Sequence, residues 1–442
     1  MSIEMLDDDL AYNHNLFMVL KTERKINMKI KVGVFFGGNS VEHEISVITM
    51  NQAISSLDPE KYEIIPIYIA KNGVMYTGDD LLDLYSFRDM EVLLKRCYKV
   101  AVVNDGKGVK VVRTPAPWIG KRVLNTIDVA FPIVHGTNCE DGTIAGFVTL
   151  LGLPFVGPDI VASSIGMDKI LQKKILRQSG ISVVDFVAFY SVEYIKDEET
   201  ILNNIEKELT YPVIVKPGNL GSSVGIRKAK NKVELEEAIE FAMEFADRII
   251  VEKAVEDLKE INCSVIGNLT ETEASICEEP FFSDEILSYT DKYIGDGKSK
   301  GGTIGGGKAG SPKLGGQKGE TPQFANKKIP ADISKEKTEE IQKLAQEVFK
   351  VLGCSGVSRI DFLIDNKTDK VYVNEINTIP GALSYYLWEA TGKPFEKELD
   401  EIIEIAIKRH RDKEKLTFSY DQNILAMQGG VKGAKGGKTG KI

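Results

Sequence analysis

The chain has 442 residues, 43% of them apolar and 27% charged, the balance of an ordinary globular protein built on two or three cores. A formal charge of −9 excludes nucleic acid as the main partner, because no overall basic field would draw in a phosphate backbone. Cys97, Cys139, Cys263, Cys277 and Cys354 are scattered, with no CxxC pair or Cys/His cluster, so they read as reduced thiols rather than a disulfide frame or zinc site.

Residues 1–28 read as an extension, with Met28 a candidate functional start. They do not read as a signal peptide: Asp7 to Asp9 stand where positive charge is expected, and the apolar stretch Asn15–Leu20 is short. No apolar run approaches the roughly 20 residues that span a bilayer, so no membrane association and a cytoplasmic location are expected. From 29 to 159 strands alternate with helices. Lys31–Phe36 is a buried-type strand ending in Gly37-Gly38-Asn39-Ser40, and the helix after it carries Ile45, Ile48 and Ala53. Glu63–Ala70 and Asp128–Val134 are further strands, the latter ending at His135-Gly136. The alternation predicts an open α/β layer with a mainly parallel sheet.

A second unit, 160–255, opens with a helix from Asp168 to Gln178 that stops at Gly180. Pro212–Lys216 and Ile249–Lys253 are strands; the helix Val233–Ala246 between them sets Leu235, Ala238, Ile239, Ala242 and Ala246 on one face. A third unit, 256–417, holds the strand Ile261–Ile266 and the helix Lys335–Leu352, with Ile341, Leu344, Ala345, Val348, Phe349 and Leu352 at helical spacing. Within it, residues 295–328 are rich in Gly and Lys and cannot form a core; such a loop in a compact domain is functional or disordered. The tail, 418–442, shares that composition.

The most informative stretches are Arg359-Ile360-Asp361-Phe362 and Val373-Asn374-Glu375-Ile376-Asn377, two strands joined by the polar turn Asp365 to Lys370. Residues i and i+2 share a face, so a hairpin would gather Arg359, Asp361, Glu375 and Asn377. Two carboxylates and an amide oxygen suit Mg²⁺, which takes few carboxylates and leaves room for phosphate oxygens. The pattern predicts a site for a magnesium nucleotide.

Other motifs carry two readings each. Lys216-Pro217-Gly218-Asn219-Leu220-Gly221-Ser222-Ser223-Val224-Gly225 follows a strand; it is either a plain Gly-Ser turn or a loop whose N–H and hydroxyl groups meet phosphate, and it lacks the Gly-Lys-Ser/Thr of a Walker loop. Glu252 and Lys253, with Glu260 beyond, form either a solvated linker or the adenine and ribose contacts of a nucleotide held between two units. Glu42-His43-Glu44 with Ser46 is either a set of carboxylates complementing a helix dipole or the receptor of a substrate ammonium. His135-Gly136 and Glu140-Asp141-Gly142-Thr143 fall on the same rim, where a lone histidine is more often structural than catalytic. Tyr289, Lys292 and Tyr293 precede the Gly/Lys segment and are surface residues or the first residues of a lid that excludes water.

In this order the motifs resemble the D-alanine–D-alanine ligase family of the ATP-grasp superfamily, over roughly 29–412. The resemblance rests on the stretches from Gly37 to Ser46 and from His135 to Thr143, on Met167-Asp168-Lys169, Gly221 to Gly225, Lys292-Tyr293, Arg359 to Phe362, and Asn374 to Gly381. It implies an N-terminal substrate domain followed by a two-lobed ATP-grasp fold, α+β in that part, and a homodimer. It implies ATP and two Mg²⁺, with Mn²⁺ able to substitute, held by Asp361, Glu375 and Asn377. Lys169 and Lys216 would touch the phosphates, Glu252 and Lys253 would frame adenine, and Glu260 would take the ribose, with Ser222, Ser223 and Val255 completing the ATP set. Glu42 would receive the first D-alanine's ammonium and be linked through Ser222 to Tyr293. His135 and Glu140 would lie near the substrates, Arg359 and the Gly381 amide would stabilise the oxyanion, and Lys292 would act from the lid. The implied chemistry is an acyl phosphate formed from ATP, then attack by a second amine. Three features depart from the family pattern: Tyr386 stands where a serine binding the second carboxylate is expected, with Ser384 or the tyrosine hydroxyl as substitutes; the lid is longer; and Cys139 replaces a glycine. D-serine or D-lactate as acceptor is the alternative, although Tyr293, in place of the histidine of ester-forming relatives, favours a peptide. A nucleotide-binding protein without catalysis would lack a metal ligand or phosphate lysine, and none is missing.

Overall fold

The computed structural model describes residues 29–221, 224–280 and 327–418. Among these, the strands form three sheets. The first contains β1 (Ile30–Gly37), β2 (Tyr62–Ile69), β3 (Met75–Thr77), β4 (Tyr98–Asn104), β5 (Val109–Arg113), β6 (Val123–Ile127) and β7 (Val129–Ile133), in the order β6-β5-β4-β3-β2-β1-β7. Only β1 with β2 and β1 with β7 are parallel, so the expectation of a mainly parallel sheet is corrected. Parallel neighbours need a crossover, whereas β2–β3 and β4–β5 are joined by tight turns at Gly73 and at Gly106 to Gly108, which force antiparallel pairing. Valines 100, 102, 109 and 111 are buried on alternate positions there, a half-exposed pattern that was present in the sequence.

The second sheet contains β8 (Phe186–Tyr190), β9 (Val213–Pro217), β10 (Arg227–Ala229) and β11 (Arg248–Lys253), ordered β10-β9-β11-β8 and antiparallel. Val213, Val215, Ile249 and Val251 face a core shared with the helices Glu198–Glu208 and Lys232–Met243. Lys216 and Glu252 therefore fall on the opposite face. The third sheet contains β12 (Leu258–Gly267), β13 (Thr272–Pro280), β14 (Lys327–Lys328), β15 (Gly356–Asp365) and β16 (Lys370–Asn377), ordered β14-β13-β12-β15-β16. Its apolar face (Ile261, Cys263, Val265, Ile360, Phe362, Ile364) packs on the helix Lys335–Val351, whose predicted stripe Ile341, Ala345, Val348 and Phe349 is fully buried. Lys327 and Lys328, read from composition as the end of the Gly/Lys segment, are instead a strand paired with β13. The rest of that segment, 295–326, the extension 1–28 and the tail beyond 418 lie outside the described residues.

The first and third units share one core. Val32, Val34 and Phe36 of β1 cluster with Trp388 and with Leu399, Ile402 and Ile403 of the helix Phe395–Glu414. Within the helix His43–Ser56, Val47, Met50 and Ala53 join this core, whereas Ile48 lies on the outer face. A polar pin sits beside it: His135 Nε2 is 3.1 Å from Thr49 Oγ1, and Thr49 Oγ1 accepts the Ala382 N–H at 3.3 Å. Burial holds the His135 imidazole down to about 4, against a hydrogen bond to the Ile379 backbone.

Because this histidine is stable only when neutral, its contribution is present above about pH 6.5 and declines as pH falls toward 4. Over the interval from pH 7 to 5 the loss is on the order of 2 kcal/mol. Glu140, whose carboxyl is raised to about 7 by burial and by Glu42, works with the opposite sign there, losing stability as pH rises. Thermal unfolding of wild type and His135→Gln at pH 7 and 5 separates the two: the variant should lose less on acidification. An equal loss in both would assign the acid sensitivity to other groups.

Candidate active site

Strand register assembles the third sheet's polar face. Arg359 pairs with Asn377 and Asp361 with Glu375 across β15 and β16, which places all four on one side, as the hairpin reading requires. A bulge makes this possible. Phe362 is opposite Val373, so Asn374 is an extra residue, and Glu375 is turned to the polar face that simple alternation from Val373 would deny it. The row continues across the sheet, because Asn262 pairs with both Asp361 and Glu278. Glu278, Asn262, Asp361 and Glu375 thus stand side by side on four adjacent strands.

Arg359 grips Asp361 in a fork, Nε to Oδ1 at 2.7 Å and Nη2 to Oδ2 at 2.8 Å, and Asn377 Nδ2 donates to Asp361 Oδ2 at 2.9 Å. The Asp361 carboxyl is nonetheless raised, by burial first and by Glu375 and Glu278, against the lowering effect of Arg359. Among the described residues no group of three His, Cys, Asp or Glu stands close enough to hold a metal ion. The third oxygen available here is the Asn377 amide. Two crowded carboxylates and an amide oxygen are hard donors whose repulsion a divalent cation would relieve, so the residues fit Mg²⁺.

Opposite this face lies a lysine cluster. Asp168 caps the helix Lys169–Gln178 by accepting from the N–H groups of Ile170 and Leu171, and its second oxygen pairs with Arg248. That fixes Lys169, whose Nζ donates to the Leu220 carbonyl at 2.6 Å and lies 3.4 Å from Glu375 Oε2. Lys216 Nζ donates to Glu252 Oε2 at 2.7 Å and reaches Asn374 Oδ1 at 3.4 Å, spanning the second and third sheets. Lys173 Nζ is 3.1 Å from Glu252 Oε1. Burial alone would raise the Glu252 carboxyl, but Lys173 and Lys216 hold it down to about 2. Glu252 is thus a buried anchor of two lysines. Lys253 is exposed, Val255 sits in the connection to β12, and Glu260, half-buried, faces the same side as Asn262.

At the N-terminal rim, Ser46 Oγ accepts from the Gly37 N–H and donates to the Ile133 carbonyl, tying helix to β1 and β7. His43 is committed to Gly38 and Tyr68, and Glu44 to Lys71 on the surface. Glu42 is the member of its motif that lies against the Gly136 and Gly221 backbone. Its carboxylate lies so close to the backbone that a Cβ on Gly136 would come within 2.5 Å of Oε2, and one on Gly221 within 2.9 Å. Gly221 therefore lies directly against the Glu42 carboxylate. Glu140 is half-buried and accepts from the N–H groups of Gly136 and Ile379 and from Thr378 Oγ1, holding the rim to the turn after β16.

That turn is unusual: Ala382, Leu383 and Ser384 have φ of +52°, +52° and +59°. Left-handed non-glycine residues cost roughly 1–2 kcal/mol each. Leu383 in the core and the bond from the Ala382 N–H to Thr49 hold them in place, with Gly381 at the start. Ser384 is fully buried. Tyr386 instead directs its hydroxyl to Glu278 Oε1 at 2.9 Å. Ser222, Ser223, Tyr289, Lys292 and Tyr293 lie outside the described residues. The sequence reading passed over Lys173, Asn262, Glu278 and Lys327. The phase shift from Val371 and Val373 to Ile376 was a legible sign of the bulge that aims Glu375.

Two family models match the chain: the D-ala D-ala ligase N-terminus over residues 31–158, and the D-ala D-ala ligase C-terminus over 175–303 and 317–404. The gap between the last two spans falls within the Gly/Lys segment. The D-alanine–D-alanine ligase of Thermosipho melanesiensis is 39% identical over 403 residues, covering 91% of this chain and 99% of the relative. That of Caldicellulosiruptor bescii is 38% identical over 401 residues, covering 89% and 99%. Among solved structures, the D-alanine–D-alanine ligase of Coxiella burnetii superposes with a TM-score of 0.68 at 31% identity, covering 88% of this chain and 96% of that one. A D-Ala:D-Ser ligase from Enterococcus faecalis gives the same TM-score and identity, covering 86% and 100%. The three sheets are those of an ATP-grasp enzyme, and the chain belongs to the D-alanine–D-alanine ligase family.

Proposed function

We propose that the protein is an ADP-forming ligase that joins two D-alanine molecules into the dipeptide used in peptidoglycan synthesis. The observation that carries this reading is the meeting of Lys169 and Lys216 with the Asp361–Glu375 face, beside a rim where Glu42 lies against Gly221. ATP would lie between the second and third sheets, its phosphates against Lys169 and Lys216. Lys173 and Glu252 hold Lys216 in place. Glu42, acceptor-only when ionised, would take the first D-alanine's ammonium, turning its carboxylate toward the γ-phosphate. His135, neutral and bonded to Thr49, shapes the rim without carrying charge.

The first carboxylate attacks the γ-phosphorus, ADP leaves, and an acyl phosphate forms. The second amine then attacks the acyl carbon and phosphate departs. Arg359 and the Gly381 N–H would stabilise the oxyanion of that step. Asp361, Glu375 and Asn377 would hold Mg²⁺, which spreads phosphate charge when bound. Ser222 would link Glu42 to Tyr293 and, with Ser223, complete the ATP set, while Lys292 would act from a lid that keeps water from the acyl phosphate. A cytoplasmic homodimer and units at 29–159, 160–255 and 256–417 belong to the same proposal. The described residues contain no helix long and apolar enough to cross a membrane.

The acceptor is the open choice, since one similar structure is a D-Ala:D-Ser ligase. Phosphate release with D-alanine, D-serine, D-lactate and L-alanine, with products identified by mass, should give D-alanyl-D-alanine as the main product. D-alanyl-D-serine as the main product would move the protein to the alternative acceptor, and background ADP release with every substrate would remove the ligase reading. Glu375→Gln keeps shape but removes one charge, and should lower the rate at least roughly a hundred-fold, several kcal/mol of charge stabilisation. A variant keeping more than about a tenth of wild-type turnover would take Glu375 out of the metal site.

A further inference from the structure

Strands β4, β5 and β6 of the first sheet differ in charge from the rest of the chain. From Tyr98 to Ile127 there are six basic residues (Lys99, Lys107, Lys110, Arg113, Lys121 and Arg122) against one acidic residue, Asp105, in a chain whose formal charge is −9. Four of these cations meet at one end of the strands. The Arg113 N–H donates to the Arg122 carbonyl and the Thr114 N–H to the Lys99 carbonyl, which gathers the start of β4, the end of β5 and the start of β6 under the loop 114–122. Arg113 lies over the Tyr98 ring, 4.7 Å from its centroid. None of Lys99, Arg113, Lys121 and Arg122 makes an ion pair with another described residue. The loop they support carries Trp118, fully exposed, and Ile119, 88% exposed; Gly120 beside them has open space where a side chain would begin. Tyr98 and Val123 at the base of the loop are exposed as well.

Single exposed apolar side chains are ordinary, but two adjacent ones at a loop tip, set above unpaired cations, mark an interaction surface. A stable protein partner needs a broad complementary area of about 800 Å² on each side, whereas this tip is two side chains standing clear of the body. A lipid surface suits that shape. An indole and an aliphatic side chain enter the headgroup layer, and lysine and arginine at the base reach anionic headgroups. Screening confines the relevant charge to groups within about 8 Å of the surface, so the overall negative charge does not cancel the local excess. The expectation of no membrane association rests on the lack of a spanning run, which surface docking does not require.

We propose that the loop 114–122 docks on an anionic lipid bilayer, with Trp118 and Ile119 entering the headgroup region and Lys99, Arg113, Lys121 and Arg122 pairing with the headgroups. The proposal is independent of the ligase reading and uses none of its residues.

Co-sedimentation of the full-length protein with vesicles tests this, using phosphatidylcholine alone or mixed with about one-third phosphatidylglycerol. Partition should favour the anionic vesicles at least about a hundred-fold, since each basic group near such a surface contributes about five-fold, and added salt should weaken it. Trp118 is also a reporter, because the second tryptophan, Trp388, is fully buried. Acrylamide should quench Trp118 before lipid is added; on anionic vesicles alone its emission should shift to the blue and quenching should fall. Trp118→Ser should weaken partition about ten-fold. Lys121→Ser combined with Arg122→Ser should weaken it about twenty-fold, and the unfolding midpoint should stay unchanged in both variants because these side chains stand in solvent. Equal binding to both kinds of vesicle, or none to either, would overturn the proposal. Binding that survives both variants would move the attraction to another basic segment, and a Trp118 already shielded from acrylamide without lipid would show that protein covers the tip. Either result overturns it as well.

Discussion

The arrangement depends on a row of polar side chains that one sheet face must hold against their own repulsion. Glu278, Asn262, Asp361 and Glu375 stand on adjacent strands at roughly 4.8 Å intervals, three of the four acidic. Like charges on neighbouring strands are destabilising, so each needs a partner. Lys327 lies against Glu278, Arg359 against Asp361 and Lys169 against Glu375. Each cation comes from a different place: the strand after the Gly/Lys segment, the row's own strand, and the capped helix at Lys169. The carboxylate row therefore draws distant segments of chain to one surface, and the cleft is the result.

Much of this was legible in the sequence. The hairpin from Arg359 to Asn377 gathers Arg359, Asp361, Glu375 and Asn377 on one face as expected, although a bulge at Asn374 interrupts its alternation. The helix at Lys169 announces its cap with Asp168, and the helix Lys335–Val351 shows its stripe plainly. What failed has physical causes. The first sheet was read from its strongest apolar runs, β1, β2 and β7, which are the parallel-paired ones; the half-exposed strands β4 to β6 alternate more weakly and were passed over. Lys173 lies on a helix rich in lysine, where nothing local separates a buried ammonium from a solvated one. Glu278 and Lys327 sit in charged stretches that look like surface, and only pairing between distant strands reveals them as neighbours.

The N-terminal unit matters because its core is continuous with that of the third. Helix Phe395–Glu414 packs against β1 and its neighbours, so Glu42 and the turn at Gly381 are not independently mobile bodies but parts of one packed block. Thr49 and Glu140 stitch the seam, Thr49 through the Ala382 N–H and Glu140 through Thr378 and Ile379. Packed interiors transmit displacement rather than absorb it. A change at the seam should thus be felt at Gly381, although neither seam residue belongs to the cleft's charged row.

The left-handed turn shows what that rigidity is used for. Three consecutive residues at positive φ would relax in an isolated peptide, because nothing local favours them. Here they reverse the chain within a few residues, so that Gly381 stays beside the seam while Tyr386 reaches Glu278 on the far part of the sheet face. A right-handed continuation would start the helix Tyr385–Thr391 in another direction and carry Tyr386 away from β13. Backbone strain is thus exchanged for the placement of one hydroxyl. The stabilisation that offsets it comes from Leu383 and Trp388, both buried in the core and neither a member of the charged row.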